Sequence, residues 1–220
     1  MQEYGKNHVV VPLLWASQQD GALVADILSL KNYRQADIYV MLGATVGQAG
    51  AITLQKGTSV SSAATSMSFT RYYETGFKLK YTSPSTDTPA AAAETISGAG
   101  GGSATIYKDT GTELICYGYG GTTFVDGELI TCSGGKTMTA DGIQINEDIL
   151  VPRTATSNTF NVNAAGYKLY MIPVNAEDLG DGYDCVELNV ADLNTTDLAA
   201  WAVLSEPRYL AEIPETAIYD

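Results

Sequence analysis

Apolar and polar residues alternate with a period of two along several short segments of the chain. Because successive side chains of a strand point to opposite faces, this pattern predicts half-buried β-strands. The clearest case is the segment 77–81, which is expected to turn Phe77, Leu79 and Tyr81 inward and two lysines outward. Three further segments alternate in the same way: 37–42 with Ile38, Val40 and Leu42 on one face, 167–172 with Tyr167, Leu169 and Met171 on one face, and 186–191 with Val186, Leu188 and Val190 on one face.

Seven more segments have the composition of strands, and turn residues separate them. They are 9–14, 23–30, 51–55, 67–72, 115–119, 159–162 and 201–204. Helix signals are limited to 89–96, which contains an alanine run, and to single turns at 176–179 and 194–198. Many short strands with closely spaced glycine turns predict an all-β chain folded as an antiparallel β-sandwich.

Composition divides the chain into three parts. A linker-like stretch rich in Ser, Thr and Pro begins near Pro84, and a second boundary falls near Pro152. Residues 86–152 are richer in Gly and Thr than their flanks, so we expect an inserted β region or small β subdomain there. Residues 1–85 and 153–220 then form the two parts of one β-sandwich, the second followed by a C-terminal tail.

The glycine-rich segment 98–102 within the insert is interpreted as a flexible tip or linker. It lacks the Gly-Lys-Ser/Thr ending of a phosphate-binding loop, and a dinucleotide site would need a strand before it and a helix after it.

The chain is acidic, with 25 Asp and Glu against 12 Lys and Arg and a net charge of -13. Proteins that bind nucleic acid or anionic membranes do so with clustered cations, and no such cluster occurs in the sequence. We therefore expect no direct nucleic-acid binding and no membrane binding. The N-terminal segment lacks a plausible cleavage motif, and no apolar run approaches the roughly 18 residues of a membrane helix, so use without secretion is expected.

The sequence carries no pattern of catalytic or metal-binding residues. His8 is the only histidine, so a triad or a zinc site using histidine would depend on it alone, and we interpret it as a polar residue at a strand edge. The acidic residues of 177–184 lack the spacing of a calcium-binding loop, and the pair Asp126 and Glu128 is interpreted as part of a solvated turn. We predict no catalytic residue, no cofactor and no metal site.

Three cysteines are present, Cys116, Cys132 and Cys185, and no two form a CxxC pair. We expect all three to be reduced and to pack as small hydrophobes. A disulfide between Cys116 and Cys132 across a hairpin is the alternative.

Tyrosine occurs 14 times, and Tyr and Arg are favoured at protein interfaces because they bury much area while keeping a polar group. A tyrosine-containing β core is the alternative explanation, and the tail 206–220 is suited either to lie on a neighbouring subunit or to fold back on its own domain. The candidate assembly contacts are Tyr72, Tyr73, Tyr117, Tyr119, Arg208, Tyr209 and Ile213.

Four phrases of the chain resemble proteins encoded among the structural genes of tailed bacteriophages. They are Lys31-Asn32-Tyr33 before an alternating strand, 51–73 with two strands joined through a Ser/Thr/Ala-rich loop, 182–192, and 199–209 ending in Pro-Arg-Tyr. The resemblance covers about 8–82 and 155–210 and leaves the insert out. It implies a virion protein of β-sandwich type, and it implies no catalytic residues.

The resemblance and the acidic charge together favour a non-enzymatic capsid decoration or auxiliary head protein, assembled in the host cytoplasm into the virion. Such a protein would contact the major capsid protein or other virion proteins, form a homo-oligomer in the particle, and act by burying apolar surface between neighbours. One alternative is a tail, neck or baseplate protein. Another is a carbohydrate-binding β module that offers Trp15 or Trp201 to a sugar ring, although both lie in strand patterns that favour core positions.

Overall fold

The structure, a computed structural model, describes residues 8–44, 47–86, 88–143, 145–162 and 167–208. These residues form β-strands and one 3-10 turn, so the prediction of an all-β fold is confirmed. The strands are β1 (Val9–Gln19), β2 (Leu23–Val24), β3 (Leu28–Ser29), β4 (Tyr33–Leu42), β5 (Gly50–Gly57), β6 (Thr65–Ser66), β7 (Arg71–Thr82), β8 (Thr95–Gly98), β9 (Ser103–Asp109), β10 (Glu113–Gly120), β11 (Leu129–Cys132), β12 (Thr137–Ala140), β13 (Ile145–Thr154), β14 (Thr159–Val162), β15 (Lys168–Asn175), β16 (Cys185–Val190) and β17 (Thr196–Pro207), and the 3-10 turn is Ala176–Leu179. No helix long and apolar enough to span a bilayer occurs in this part of the chain.

The chain divides into two compact units. Unit 1 consists of Met1–Tyr73 and Arg153–Asp220, and unit 2 is Glu74–Pro152. The second boundary coincides with the one that composition indicates, whereas unit 2 begins at Glu74 and not at residue 86. The reason is that the first boundary falls inside the continuous strand β7, where composition does not change, and the linker-like stretch near Pro84 only joins two strands of unit 2.

Unit 1 is a sandwich of two antiparallel sheets. Sheet A has the strand order β1-β17-β4-β15, and sheet B has the order β14-β5-β16-β2, with β3 paired to β16 and β6 to β5. Their inner faces meet in one hydrophobic core. As the alternation predicts, this core contains Ile38, Val40 and Leu42 from sheet A and Val186, Leu188 and Val190 from sheet B.

Strand β15 turns inward the face opposite to the one that carries Tyr167, Leu169 and Met171. Tyr170, Ile172 and Val174 are buried, whereas Leu169 and Met171 point outward and Tyr167 is 80% exposed. Both sets are apolar, so alternation alone does not decide between them. The choice follows from the register with β4, in which Tyr170 lies opposite Val40 and Ile172 opposite Ile38.

Unit 2 is a small closed barrel. Its strands follow the order β7-β10-β9-β8-β11-β12, and β12 pairs back onto β7 through Thr139 with Thr82 and Ala140 with Tyr81. Every pairing around the ring is antiparallel. Closure leaves no unpaired edge among these six strands, which protects a small β structure from pairing with other chains.

The barrel of unit 2 has its own hydrophobic core. Phe77, Leu79 and Tyr81 are buried in it, as the sequence predicts, while Lys78 is half-buried and Lys80 exposed. A separate core explains why unit 2 is compact by itself.

Of the three predicted helical segments, two are wrong and one is confirmed. The alanine run of 89–96 is not a helix: Ala93 has a φ of 70° and donates its N–H to the carbonyl of Ile106, which leads into β8. Segment 194–198 contains the start of β17 instead of a helical turn, whereas Ala176–Leu179 is a 3-10 turn as predicted.

The glycine-rich segment 98–102 is the turn at the tip of the β8–β9 hairpin, so of its two interpretations the tip is correct and the linker is wrong. Gly98 donates its N–H to the carbonyl of Gly102 at 2.8 Å, and Gly101 donates to the carbonyl of Gly98 at 3.0 Å. Glycine is needed here because Gly101 has a φ of 95°, a conformation that side chains disfavour.

Candidate interaction surface

The two sheets of unit 1 differ in what they place on their outer faces. Along the strands of sheet B, buried apolar side chains alternate with outward polar ones, as in a sheet with one face in water. Val24 is an exposed apolar exception. The outward polar residues of sheet B are Thr53, Gln55, Thr159, Asn161, Glu187 and Asn189.

Sheet A places apolar side chains on both faces. A sheet whose strands are apolar on both sides is typical of one that is covered on both sides. We call the following outward residues the outer face of sheet A: Val10, Pro12 and Trp15 of β1, Ala199, Trp201 and Val203 of β17, Tyr39 and Met41 of β4, and Leu169, Met171 and Pro173 of β15.

The register of sheet A makes the outer face continuous from strand to strand. Tyr39 lies between Met171 on β15 and Trp201 on β17, and Pro12 on β1 lies opposite Trp201. The rings of Tyr39 and Trp201 are stacked, with centroids 5.5 Å apart and planes 10° apart. Side chains that are direct cross-strand neighbours pack against one another, so the centre of the outer face is a preformed aromatic platform.

Met41 extends this platform toward one end of the sheet. It lies between Leu169 on β15 and Ala199 on β17, and it is 47% exposed. The outer face thus presents thioether and aromatic groups, the side chains that are enriched at the centres of protein interfaces.

Trp15 is 78% exposed, so the prediction that it packs in the core is wrong. The pairing of β1 with β17 shifts between Pro12 and Leu14 and again between Leu14 and Ser17. Such irregularities redirect side chains, and Trp15 falls within the second of these shifts. Beside it lies a shallow groove of about 270 Å³, lined by Ala16, Ser17, Met41, Gly43, Asp197, Leu198 and Ala199. Trp201 is half-buried on the outer face and not in the core.

Charged groups of both signs lie at the border of sheet A. Asp37 lies on β4, where it accepts a hydrogen bond from Gln35 at 3.2 Å, and Asp197 is exposed at the start of β17. Arg34 is exposed on β4, and Arg208 is exposed directly after β17. The outer face is therefore apolar in its middle and charged at its border.

Strand β1 forms one edge of sheet A, because among the described strands it pairs only with β17. A free edge can accept another strand through its backbone groups. Pro12 lacks an N–H, and the two shifts in register further interrupt the row of backbone groups. The side-chain face of sheet A, and not its edge, is accordingly the surface suited to a partner.

Two of the predicted assembly contacts, Tyr72 and Tyr117, are buried within their own chain. Tyr72 is only 5% exposed, and its ring stacks on that of Phe160 with centroids 3.9 Å apart. Tyr117 is 7% exposed. Both predictions are corrected on this ground, because a ring that packs in its own chain has no surface left for a neighbour.

The other predicted contacts that the structure describes differ in their exposure and in their hydrogen bonds. Tyr73 is half-buried on β7. Tyr119, also half-buried, donates its hydroxyl to the carbonyl of Gly121 at 2.9 Å. Arg208 is exposed after β17, and its backbone N–H bonds the carbonyl of Asn32 at 2.9 Å. Tyr209 and Ile213 lie outside the described residues.

The outer face of sheet A was missed by the sequence analysis, although a signal for it exists. The segments 9–15, 169–174 and 198–204 are almost continuously apolar. A continuous apolar run predicts a strand covered on both faces, whereas alternation predicts a strand with one solvated face.

The ionisable groups inside unit 2 are engaged in structural contacts. Asp109 accepts hydrogen bonds from the Tyr81 hydroxyl at 2.7 Å and from the Ala90 N–H at 2.7 Å, and it lies 3.4 Å from the Lys136 ammonium. Burial by itself raises the pKa of Asp109. The hydrogen bonds from Tyr81, Gly111 and Ala90 and the charge of Lys136 outweigh burial and hold the pKa below its usual value.

Glu128 is buried, so the prediction that it lies on a solvated turn is wrong. Its carboxylate accepts the N–H of Gly100 and, at 3.0 Å, the N–H of Val125. It thereby fastens the β8–β9 hairpin turn to the loop before β11. Asp126 accepts the N–H of Gly142 at 2.7 Å in the same region, so this acidic pair is employed in loop structure.

The three cysteines are free and buried, as predicted. Among the described residues, no group of three or more His, Cys, Asp or Glu side chains is arranged to hold a metal ion. The described part of the chain thus presents the apolar outer face of sheet A, together with ionisable groups that stabilise loops and the barrel.

Comparison with known proteins adds no relative to these observations. No family model matches the chain, and no curated protein is significantly similar to it in sequence.

Proposed function

We propose that this chain is a non-enzymatic structural protein of a tailed-bacteriophage particle, a capsid decoration or auxiliary head protein. The observation that carries the proposal is the apolar outer face of sheet A, together with the resemblance of four sequence phrases to phage structural proteins. Large apolar patches on a soluble protein mark surfaces that meet a partner.

The mechanism is mechanical. Each subunit covers its outer face against a neighbouring virion protein, and apolar area removed from water contributes about 25 cal/mol per Å². Simultaneous contacts of many copies with a symmetric shell make the whole layer much more stable than one contact. The major capsid protein or another virion protein is the partner, and copies of the chain form a homo-oligomer in the particle.

The acidic charge is consistent with this function. A net charge of -13 keeps free subunits soluble before assembly. It also disfavours contact with packaged nucleic acid, so the chain belongs on protein surfaces of the virion.

An electron-microscopy map of the virus whose genome encodes this chain tests the proposal. We expect density for the two-sheet sandwich at repeated positions on the head. Density on the tail, neck or baseplate would favour the alternative structural role there. A map without such density, or turnover of a substrate by the purified chain, would contradict the proposal.

A carbohydrate-binding function for host attachment is the second candidate. It is favoured by Trp15, which is 78% exposed beside the groove of about 270 Å³, because exposed aromatic rings stack on sugar rings. A glycan array probed with the wild-type chain and with Trp15→Ala distinguishes the two functions. Glycan binding that Trp15→Ala abolishes supports attachment, whereas absence of binding leaves the structural role.

A further inference from the structure

We propose that Lys136 and Asp109 condense slowly after folding into an amide, a covalent cross-link between the two side chains inside the barrel of unit 2. The freshly folded chain holds them as an ion pair, with Nζ of Lys136 3.4 Å from Oδ2 of Asp109. Until condensation the two groups behave as an ordinary buried ion pair. The chain modifies itself once and acts on no substrate, so the cross-link is compatible with a non-enzymatic role and goes beyond it.

The ion pair has the geometry of a reacting complex. A nucleophile held about 3–3.5 Å from the group that it attacks reacts far faster than the same group free in solution. Lys136 also donates to the carbonyl of Thr88 at 2.8 Å, which fixes the position of Nζ beside Asp109. The two side chains of the pair are 8% and 0% exposed, and exclusion of water protects the amide from hydrolysis.

The hydrogen bonds to Asp109 are placed to stabilise the intermediate of this reaction. Attack of Nζ on Cγ produces a tetrahedral adduct whose oxygens carry negative charge. Oδ1 accepts the Tyr81 hydroxyl at 2.7 Å and the Gly111 N–H at 2.8 Å, and Oδ2 accepts the Ala90 N–H at 2.7 Å. Fixed donors in a site without water stabilise such developing charge strongly.

The ammonium of Lys136 must lose a proton before its nitrogen can attack, and Glu94 supplies the acceptor. Its Oε2 is buried and has no hydrogen-bond partner among the described residues, and its carboxylate packs against Gly134, two residues before Lys136. Burial raises the pKa of the Cys132 thiol, and the charge of Glu94 raises it further. The charges of Lys136 and Asp109 act on the same thiol, so all three groups lie around one place in the barrel.

Atoms and charges balance within the pair. The Nζ–Cγ bond forms and one Cγ–O bond of Asp109 breaks. The ammonium gives up two of its three protons, which pass through Glu94 to the departing oxygen, and one water molecule leaves. Glu94 ends in the state in which it began, and the step needs neither an oxidant nor an activating co-reactant.

The amide closes residues 109–136 into a covalent ring that contains β10 and β11. A cross-link of this kind restricts the unfolded chain and thereby stabilises the fold, as a disulfide does. Unlike a disulfide, an amide is not broken by reduction. The barrel thus gains a covalent brace although its cysteines are free.

The mass of the intact wild-type chain, measured at intervals after purification, tests the cross-link. We expect the chain to become lighter by one water molecule, in a fraction that rises with time. Succinimide formation at sequences such as Asp126-Gly127 also releases water, so a tryptic digest must distinguish the two products. Trypsin cuts after an unmodified lysine and not after one bound in an amide. The cross-linked chain should therefore yield the fragment 109–153 uncut at Lys136 and lighter by one water molecule.

Three variants locate the reaction. Lys136→Arg keeps the positive charge, but its guanidinium does not form this amide, so the variant should keep its full mass at all times. Lys80→Arg is the matched control, because Lys80 is exposed on β7, and it should form the cross-link as the wild type does. Glu94→Gln removes the proton acceptor and should slow the reaction at least about tenfold. Circular dichroism checks that all three variants fold.

A wild-type chain that keeps its full mass after prolonged incubation overturns the cross-link, and so does a lighter chain that trypsin still cuts after Lys136. Reaction of Glu94→Gln at the wild-type rate overturns the part assigned to Glu94. None of these results depends on where the chain sits in a particle, so failure of the cross-link and failure of the proposed function are separate outcomes.

Discussion

The ammonium of Lys136 lies 3.4 Å from a carboxylate oxygen of Asp109, and both side chains are almost completely buried, with exposures of 8% and 0%. Lys136 also donates to the carbonyl of Thr88 at 2.8 Å. The pair ties the segment before β8 to strands β9 and β12, so it couples distant parts of unit 2. Two stability predictions follow from its geometry.

Lys136→Met is expected to destabilise unit 2 by about 3 kcal/mol or more, because it leaves the charge of Asp109 buried without its cation. Lys80→Met is the matched control, since Lys80 is exposed on β7, and a surface change of this kind costs less than about 0.5 kcal/mol. Urea unfolding of both variants measures the difference. Equal stabilities of the two variants would contradict the prediction.

Stability should fall in acid because the pKa of Asp109 in the folded chain is lower than its usual value. A lowered pKa means that the folded state favours the ionised carboxylate. The contribution is therefore fully present above the unfolded pKa of about 3.9 and is lost as pH falls through the folded pKa. Asp109→Asn should be less stable than the wild type at pH 7 and should lose less stability between pH 5 and pH 2. Urea unfolding across this range checks it, and parallel pH profiles of the two proteins would refute it.

The three cysteines should not react with a thiol reagent in the folded protein at pH 8. Burial raises the pKa of Cys116 to about 12, and burial together with a hydrogen bond to Asp184 raises the pKa of Cys185 to about 12. Burial also raises the pKa of Cys132. The thiolate is the reactive form, so all three should react only after denaturation. The number of reacted cysteines is measured from the absorbance of the coloured thiol that the reagent releases. Rapid reaction of any of the three cysteines in the native chain would overturn this expectation.

Tyr72 and Tyr73 are neighbours with opposite structural roles. Tyr72→Ala removes a ring that stacks on Phe160 in the core, and we expect a loss of about 3–5 kcal/mol. Tyr73→Ala changes a half-buried side chain, and a smaller loss of about 1 kcal/mol is expected. Thermal unfolding of the two variants compares them, and a larger loss for Tyr73→Ala would be inconsistent with the packing described.

Local patterns predict the inner faces of the strands well. Alternation identifies the buried sets at 77–81 and 186–190, because in both cases a polar set marks the opposite face. The set at 38–42 is also predicted correctly, although Tyr39 and Met41 on its opposite face are apolar. Alternation fails at β15, where Leu169 and Met171 are as apolar as the buried Tyr170 and Ile172. The same failure conceals the outer face of sheet A, whose side chains resemble core side chains in composition.

The closure of the barrel in unit 2 was not accessible to the sequence analysis. It depends on the pairing of Ala140 with Tyr81, two residues far apart in the sequence whose contact no local period reveals. The start of unit 2 at Glu74 was missed for a related reason, since the chain passes from one unit to the other inside a regular strand. Long-range register, and not local propensity, determines both features.

Unit 2 is entered along β7 and left along β13, two strands that pair with each other, and Gly76 lies directly beside Val151. The ends of the barrel segment are thus as close as the two sides of a hairpin. A short reverse turn is long enough to bridge them, so the segment Glu74–Pro152 can be replaced by a turn or by another domain. A foreign domain with similarly close termini can be grafted there while the strands that build the sandwich of unit 1 keep their own sequence.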